Sequence, residues 1–171
     1  MTVVYELPRV PASAGALIGD DAGRLLILKP TYKRGWTIPG GQMEANGETP
    51  FEACRREVAE ETGLTVETGR LACVDFLRPR PSRPGGLRFL FDCGRLDPDA
   101  ARTIVLQADE IAEHRWATPE EADHLLSGPV GRRVHQCLGR PGTLYLEDGR
   151  PVAAVVSDTG VPPGDRPSRR Q

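Results

Sequence analysis

The stretch from Glu48 to Leu64 constrains this chain more than any other. Thr49 offers an N-cap, Pro50 suits the first helical position, and Glu52 completes a Thr-x-x-Glu capping box. Gly63 supplies the left-handed residue that commonly ends such an element, so the pattern predicts a helix over residues 50–62. Phe51, Ala53, Cys54, Val58 and Ala59 give that helix an apolar side that docks on a sheet. Glu57, Glu60 and Glu61 stand at i, i+3 and i+4, which at about 100° per residue places three carboxylates within reach of one another. Like charges so placed repel, and a helix that needed only solubility would interleave lysines. Clustered hard oxygen ligands suit Mg²⁺ or Mn²⁺, which are held through carboxylates and water while also touching substrate phosphates. The competing reading is a solvated acidic face.

Upstream, Trp36-Thr37-Ile38-Pro39-Gly40-Gly41-Gln42-Met43-Glu44 leads through Ala45-Asn46-Gly47 into Glu48. With Arg56-Glu57-Val58, Glu60-Glu61 and Gly63-Leu64, the segment resembles the Nudix box, the loop-helix-loop signature of MutT-like pyrophosphohydrolases. The family pattern is Gly, five residues, Glu, seven residues, Arg-Glu-aliphatic, any, Glu-Glu, any, Gly-aliphatic. From Glu48 onward the chain matches every fixed position. It departs once, because six residues, Gln42 to Gly47, separate Gly41 from Glu48. An extra residue is sterically cheap in a loop where Asn and Gly tolerate positive φ.

The resemblance implies an α/β fold, the Nudix α/β/α sandwich with a mixed β-sheet, and a Mg²⁺-dependent pyrophosphohydrolase. It implies Glu57, Glu60 and Glu61 as metal ligands, with the carbonyl of Gly40 as a further oxygen. Arg56 opposite Glu48 is expected to hold the loop closed and orient Glu57. In this family the general base is either a box glutamate or a glutamate on a loop outside the box. Glu110, six residues before Trp116, stands where some MutT-like members keep theirs, with Glu113 as the competitor.

At 171 residues and 18.6 kDa the chain suits one domain, assigned to residues 1–156, with the Pro-, Gly- and Arg-rich residues 157–171 read as a disordered tail. A net charge of −2 and a pI near 6.0 supply no broad positive field, which disfavours duplex nucleic acid and leaves a small phosphorylated, nucleotide-like partner. Cys54, Cys73, Cys93 and Cys137 lack a CxxC pairing and sit in apolar surroundings, as reduced core thiols do. No signal core and no apolar run of membrane-spanning length is present, so no membrane partner is expected and a cytoplasmic location is. Monomer and homodimer stay equally open.

Residues 14–19 and 24–28 read as a hairpin, residues 36–38 as a short extended segment, and residues 70–77 and 87–95 as strands. The connection around residues 78–86 carries Arg78, Arg80 and Arg83 among prolines, either a solvated loop or a clamp on substrate phosphates. Lys33 and Arg34 precede Trp36 and are further candidates to meet phosphate. A strand through His114-Arg115-Trp116, a helix capped by Thr118, a helical stretch over residues 130–138, and a hairpin of residues 143–146 and 151–156 complete the chain. The substrates in view are a nucleoside diphosphate linked to another group, such as ADP-ribose or a nucleotide sugar, and a nucleoside triphosphate. An isoprenoid diphosphate and a catalytically silent ligand-binding module are the alternatives.

Overall fold

The computed structural model describes residues 8–156. The expected tail at residues 157–171 lies outside them. Eight strands form one mixed sheet: β1 (Ala12–Gly19), β2 (Leu25–Pro30), β3 (Gly40–Gln42), β4 (Arg70–Leu77), β5 (Gly86–Arg95), β6 (Ile111–Ala117), β7 (Leu144–Glu147) and β8 (Arg150–Pro151). The helices are α1 (Pro50–Thr62), α2 (Pro98–Ala101), α3 (Pro119–Leu125) and α4 (Gly128–Cys137). Strand order is β6-β2-β1-β5-β4-β7-β8, with β3 pairing only β1; β1 runs parallel to β5, and β4 parallel to β7.

Period-two alternation sorts each central strand between two cores. Leu25 and Ile27 of β2 face one cluster with Leu17, Leu90, Ala122, Leu126 and Val134, which α3 and α4 cover. Leu26 and Leu28 face the other with Ala16, Ile18, Ala53, Val58 and Phe91, which α1 covers. This is the expected α/β sandwich. All four cysteines are free thiols, Cys54, Cys73 and Cys137 buried and Cys93 partly so. Among the described residues no helix is long and apolar enough to cross a membrane.

α1 forms as its sequence dictates. The Thr49 hydroxyl accepts from the Glu52 N–H and the Glu52 carboxylate accepts from the Thr49 N–H, while Gly63 at φ 70° donates back to the Ala59 carbonyl. Losing such an N-cap costs about 0.5–2 kcal/mol, so the helix's start is set locally. Its buried side is Ala53, Cys54, Val58, Glu61 and Thr62, whereas Ala59, expected on the apolar side, is exposed.

Two expectations about strands need correction. The extended segment expected at residues 36–38 makes only isolated bridges, and the strand proper is β3 at Gly40–Gln42. The reason lies in β1, which pairs β2 only at Gly19 and Leu25 and takes up β3 opposite Ser13, Ala14 and Gly15. The terminal hairpin exists, but its second strand is Arg150–Pro151 and not residues 151–156. Pro151 has no N–H to continue a ladder.

Candidate active site

The fork between β1 and β2 opens a cleft of about 500 Å³, bounded by β1, β3, α1, β5, α4 and the loop before β6. Gly40 and Gly41 bring the backbone close to both neighbours. Gly40, at φ 140°, lies where a Cβ would strike the Ala14 carbonyl and the Gly15 Cα, and a Cβ on Gly41 would strike the Glu57 carboxylate. Only glycine lets β3 lie between β1 and the acidic helix.

Glu57 and Glu61 point into the cleft from successive turns of α1. Glu61 is only 4% exposed, and its Oε2 accepts a 2.8 Å bond from the Gly40 N–H. Burial raises its pKa to about 7, the charges of Glu57 and Glu110 push the same way, and the Gly40 bond and Lys33 offset part of the rise. Glu57 is also raised, first by burial and further by Glu60 and Glu110, against the pull of Arg56. Gly40, expected to contribute a carbonyl, lines the cleft and contributes this N–H.

Glu60 is not in the cleft. It is about 100° around the helix from Glu61, half-exposed, and its Oε2 accepts from Arg56 Nη1 at 3.0 Å. The trio grouped by spacing thus divides into a pair facing inward and one member facing solvent. Arg56 and Glu48 meet as expected: Nε to Oε1 at 2.7 Å and Nη2 to Oε2 at 3.1 Å, a bidentate fork. Arg56 Nη1 also holds Glu57 Oε1 at 2.9 Å, and its Nη2 reaches the Gln42 carbonyl at 3.0 Å. One guanidinium therefore ties the loop, its terminal glutamate and an inward carboxylate together. The extra loop residue is absorbed in a turn, with Asn46 Oδ1 accepting from the Glu48 N–H at 2.9 Å and Gly47 at φ 93°.

Glu110 lines the cleft and Glu113 does not. The loop carrying Glu110 is tied to the end of α1 by Val105 N–H to the Thr62 carbonyl and Gln107 N–H to the Glu61 carbonyl. Thr31 N–H and Oγ1 both reach the Glu110 carbonyl. Glu113 points elsewhere, 3.5 Å from Lys29 Nζ. Lys33 lines the cleft beside Tyr32, whereas Arg34 is exposed and outside it. Burial, then the charges of Glu61, Glu110 and Glu57, raise the Tyr32 phenol above its ordinary value.

Arg78, Arg80 and Arg83 are not brought to the cleft. Arg78 pairs Glu147, while Arg80 and Arg83 hold Asp148 at 3.2 and 2.9 Å, fastening their loop to the β7–β8 turn. Burial pushes the Asp148 carboxyl up, but the bond from Arg80, the Arg78 amide and the surrounding guanidinium charge outweigh it, so its pKa lies below the ordinary aspartate value. With the folded pKa below the unfolded one, the stabilisation is complete above the unfolded value and is lost as pH falls through the folded value. Asp148→Asn keeps a residue that tolerates φ 51° while it removes the charge and turns one of the two accepting oxygens into a donor. It should lower the melting temperature at pH 7 by about 2–4 °C and flatten the acid limb of the stability curve. An unchanged melting temperature would show that this strap contributes nothing.

A sequence model of the NUDIX domain matches residues 9–136. The chain belongs to the Nudix hydrolase family. It is 30% identical over 129 residues to a MutT-like protein of Streptomyces ambofaciens, covering 75% of this chain and 77% of that one. A MutT protein from Methanosarcina mazei Go1 has a similar structure, at 27% identity and TM-score 0.57, with 72% of this chain and 86% of that chain covered. A NUDIX hydrolase from Nitrosomonas europaea, at 22% identity and TM-score 0.65 over 83% and 80%, shares the fold.

Sequence reasoning missed one wall of this Nudix cleft. Arg88 of β5 and Arg133 of α4 line it, and behind them Asp75 of β4 is fully buried. A signal was present: an aspartate inside the apolar run Leu71-Ala72-Cys73-Val74-Asp75-Phe76-Leu77 requires a buried partner. The partner's identity depends on the fold.

Proposed function

We propose that this protein is a Mg²⁺-dependent hydrolase that cleaves a phosphoanhydride bond, in a nucleoside diphosphate linked to another group or in a nucleoside triphosphate. The observation that carries this reading is the convergence of Glu57, Glu61 and Glu110 on a cleft that cations line elsewhere. Among the described residues no three His, Cys, Asp or Glu side chains close on a single point. Two adjacent carboxylates nevertheless fit Mg²⁺, which commonly takes one or two and completes its shell with water and substrate phosphate. Glu57 and Glu61 would hold the ion, and Mn²⁺ suits the same donors. When bound, it supplies positive charge at the phosphoryl oxygens.

The chain's own residues account for the rest. Arg56 and the Gly40 N–H fix the two inward carboxylates, so their spacing does not depend on a ligand. Glu110, on a loop secured to α1, accepts the proton of the attacking water. Lys33 places a cation at the cleft, where charge develops on the leaving phosphate.

Purified protein assayed with Mg²⁺ or Mn²⁺ against a panel of nucleoside diphosphate sugars, ADP-ribose, nucleoside triphosphates and an isoprenoid diphosphate should release phosphorylated products from at least one of them. Excess chelator should abolish turnover, and added metal should restore it. Undiminished turnover in chelator would remove the ion from the reaction, and no turnover on any member would favour a ligand-binding module.

A further inference from the structure

The cleft has a second pole, and its chemistry is the opposite of the first. Asp75 and Arg88 are direct partners across the β4–β5 ladder, so their side chains share the face that α4 covers. Asp75 Oδ2 accepts from Arg133 Nη1 at 2.6 Å and its Oδ1 from the Gly149 N–H at 2.9 Å. Both oxygens of the Asp75 carboxylate are thereby engaged. Arg133 is fixed by that contact, with 12% of its side chain still exposed. Arg88 has a 2.9 Å bond to the Leu87 carbonyl and, among the described residues, no carboxylate within ion-pair distance.

Two guanidiniums thus stand against one carboxylate in a partly buried setting. A half-buried cation beside another cation and without an ion-pair partner of its own is unfavourable, and the fold places it where it opens onto the cleft. Burial lowers the pKa of Arg88 and the charge of Arg133 lowers it further, while the charge of Asp75 offsets part of the fall. Guanidinium forks match the planar and tetrahedral oxygen sets of carboxylates and phosphates.

We infer that Arg88 and Arg133 form a subsite for a second anionic group of the substrate, a phosphate remote from the anhydride that Glu57, Glu61 and Glu110 address. The substrate class is therefore a phosphoanhydride carrying a further phosphate on its other end. This rests on the hydrolase reading only for which bond is cleaved, and the anion subsite stands on its own geometry. The same forks are able to hydrogen-bond the acceptor edge of a guanine, and the excess charge favours the anion.

The test is a matched pair, ADP-ribose and its 2′-phosphate, with GDP-mannose and ADP-mannose as a base comparison. Dissociation constants are measured by calorimetry in chelator, so that no turnover is needed, and KM and kcat are measured with Mg²⁺. The wild-type protein should bind the 2′-phosphorylated member about tenfold or more tightly, the effect of one charge-assisted contact. Arg88→Gln should reduce that preference to about twofold, and Arg88→Lys, which keeps the charge, should retain part of it. Melting curves establish that each variant is folded, and the wild-type comparison decides the matter even if neither is. Equal affinities for the pair in wild-type protein overturn the subsite, as does a guanine preference with no gain from the phosphate. Discrimination in binding without hydrolysis of either member or of any compound in the panel above upholds the subsite and defeats the hydrolase reading. Hydrolysis of both with equal affinities does the reverse.

Discussion

Glu110→Gln is expected to lower kcat by roughly 10²–10⁴, the scale of losing a general base. Gln keeps the size and the hydrogen-bonding reach of the side chain but cannot take a proton from water. The loop should keep its place, because Val105, Gln107 and Thr31 hold it through the backbone or through the carbonyl of Glu110, none of which the substitution touches. Glu57 and Glu61 remain intact, so the concentration of Mg²⁺ giving half-maximal rate should stay where it was. Glu113→Gln is the control: that side chain is exposed and directed at Lys29, and its loss should leave turnover within about twofold, as for surface positions that touch nothing reactive. If Glu113→Gln proves the damaging change, the base is assigned to the wrong residue. If neither matters, the proton goes to a glutamate of α1.

Glu61→Gln is expected to cost about 10²–10³ in kcat/KM, comparable to removing one preorganised stabiliser of transition-state charge. The Gly40 N–H keeps an acceptor in the amide oxygen, so β3 should remain in register. The same substitution relieves a buried carboxylate crowded by Glu57 and Glu110. Its melting temperature should hold or rise, the exchange of stability for activity found where a site is strained by its task. A variant that loses activity together with its fold would count against this account, since the loss would then be structural. Undiminished kcat/KM in a folded variant would exclude Glu61 from the chemistry.

How much could be read in advance depended on how local the determinants were. α1 was legible to the residue, because Thr49, Pro50, Glu52 and Gly63 are cap signals within one segment, and the Glu48–Arg56 fork is likewise contained in one loop and helix. The spacing of Glu60 did not show that it parts from Glu61, since one residue turns a side chain by about 100° and Arg56, four positions earlier, holds it there. The arginines at 78, 80 and 83 looked available because Glu147 and Asp148, which neutralise them, come some 70 positions later, as in the contact of Arg78 with Asp148. Asp75, Arg88 and Arg133 come from two strands and a helix, and no window of sequence contains them together.

The two poles of the cleft are built on different elements, and this bears on how such a protein diversifies. At the acidic pole, Arg56 and the Gly40 N–H hold Glu57 and Glu61, and backbone bonds to Thr62 and Glu61 hold the loop of Glu110. At the cationic pole Asp75 is held by Arg133 and the Gly149 N–H, with Arg88 beside it, on β4, α4 and β5. On the proposed assignment, substitutions on β5 and α4 change which molecules are accepted while α1 and its loop are inherited unchanged. On that assignment, duplicated copies of such a gene have a short path to new substrates.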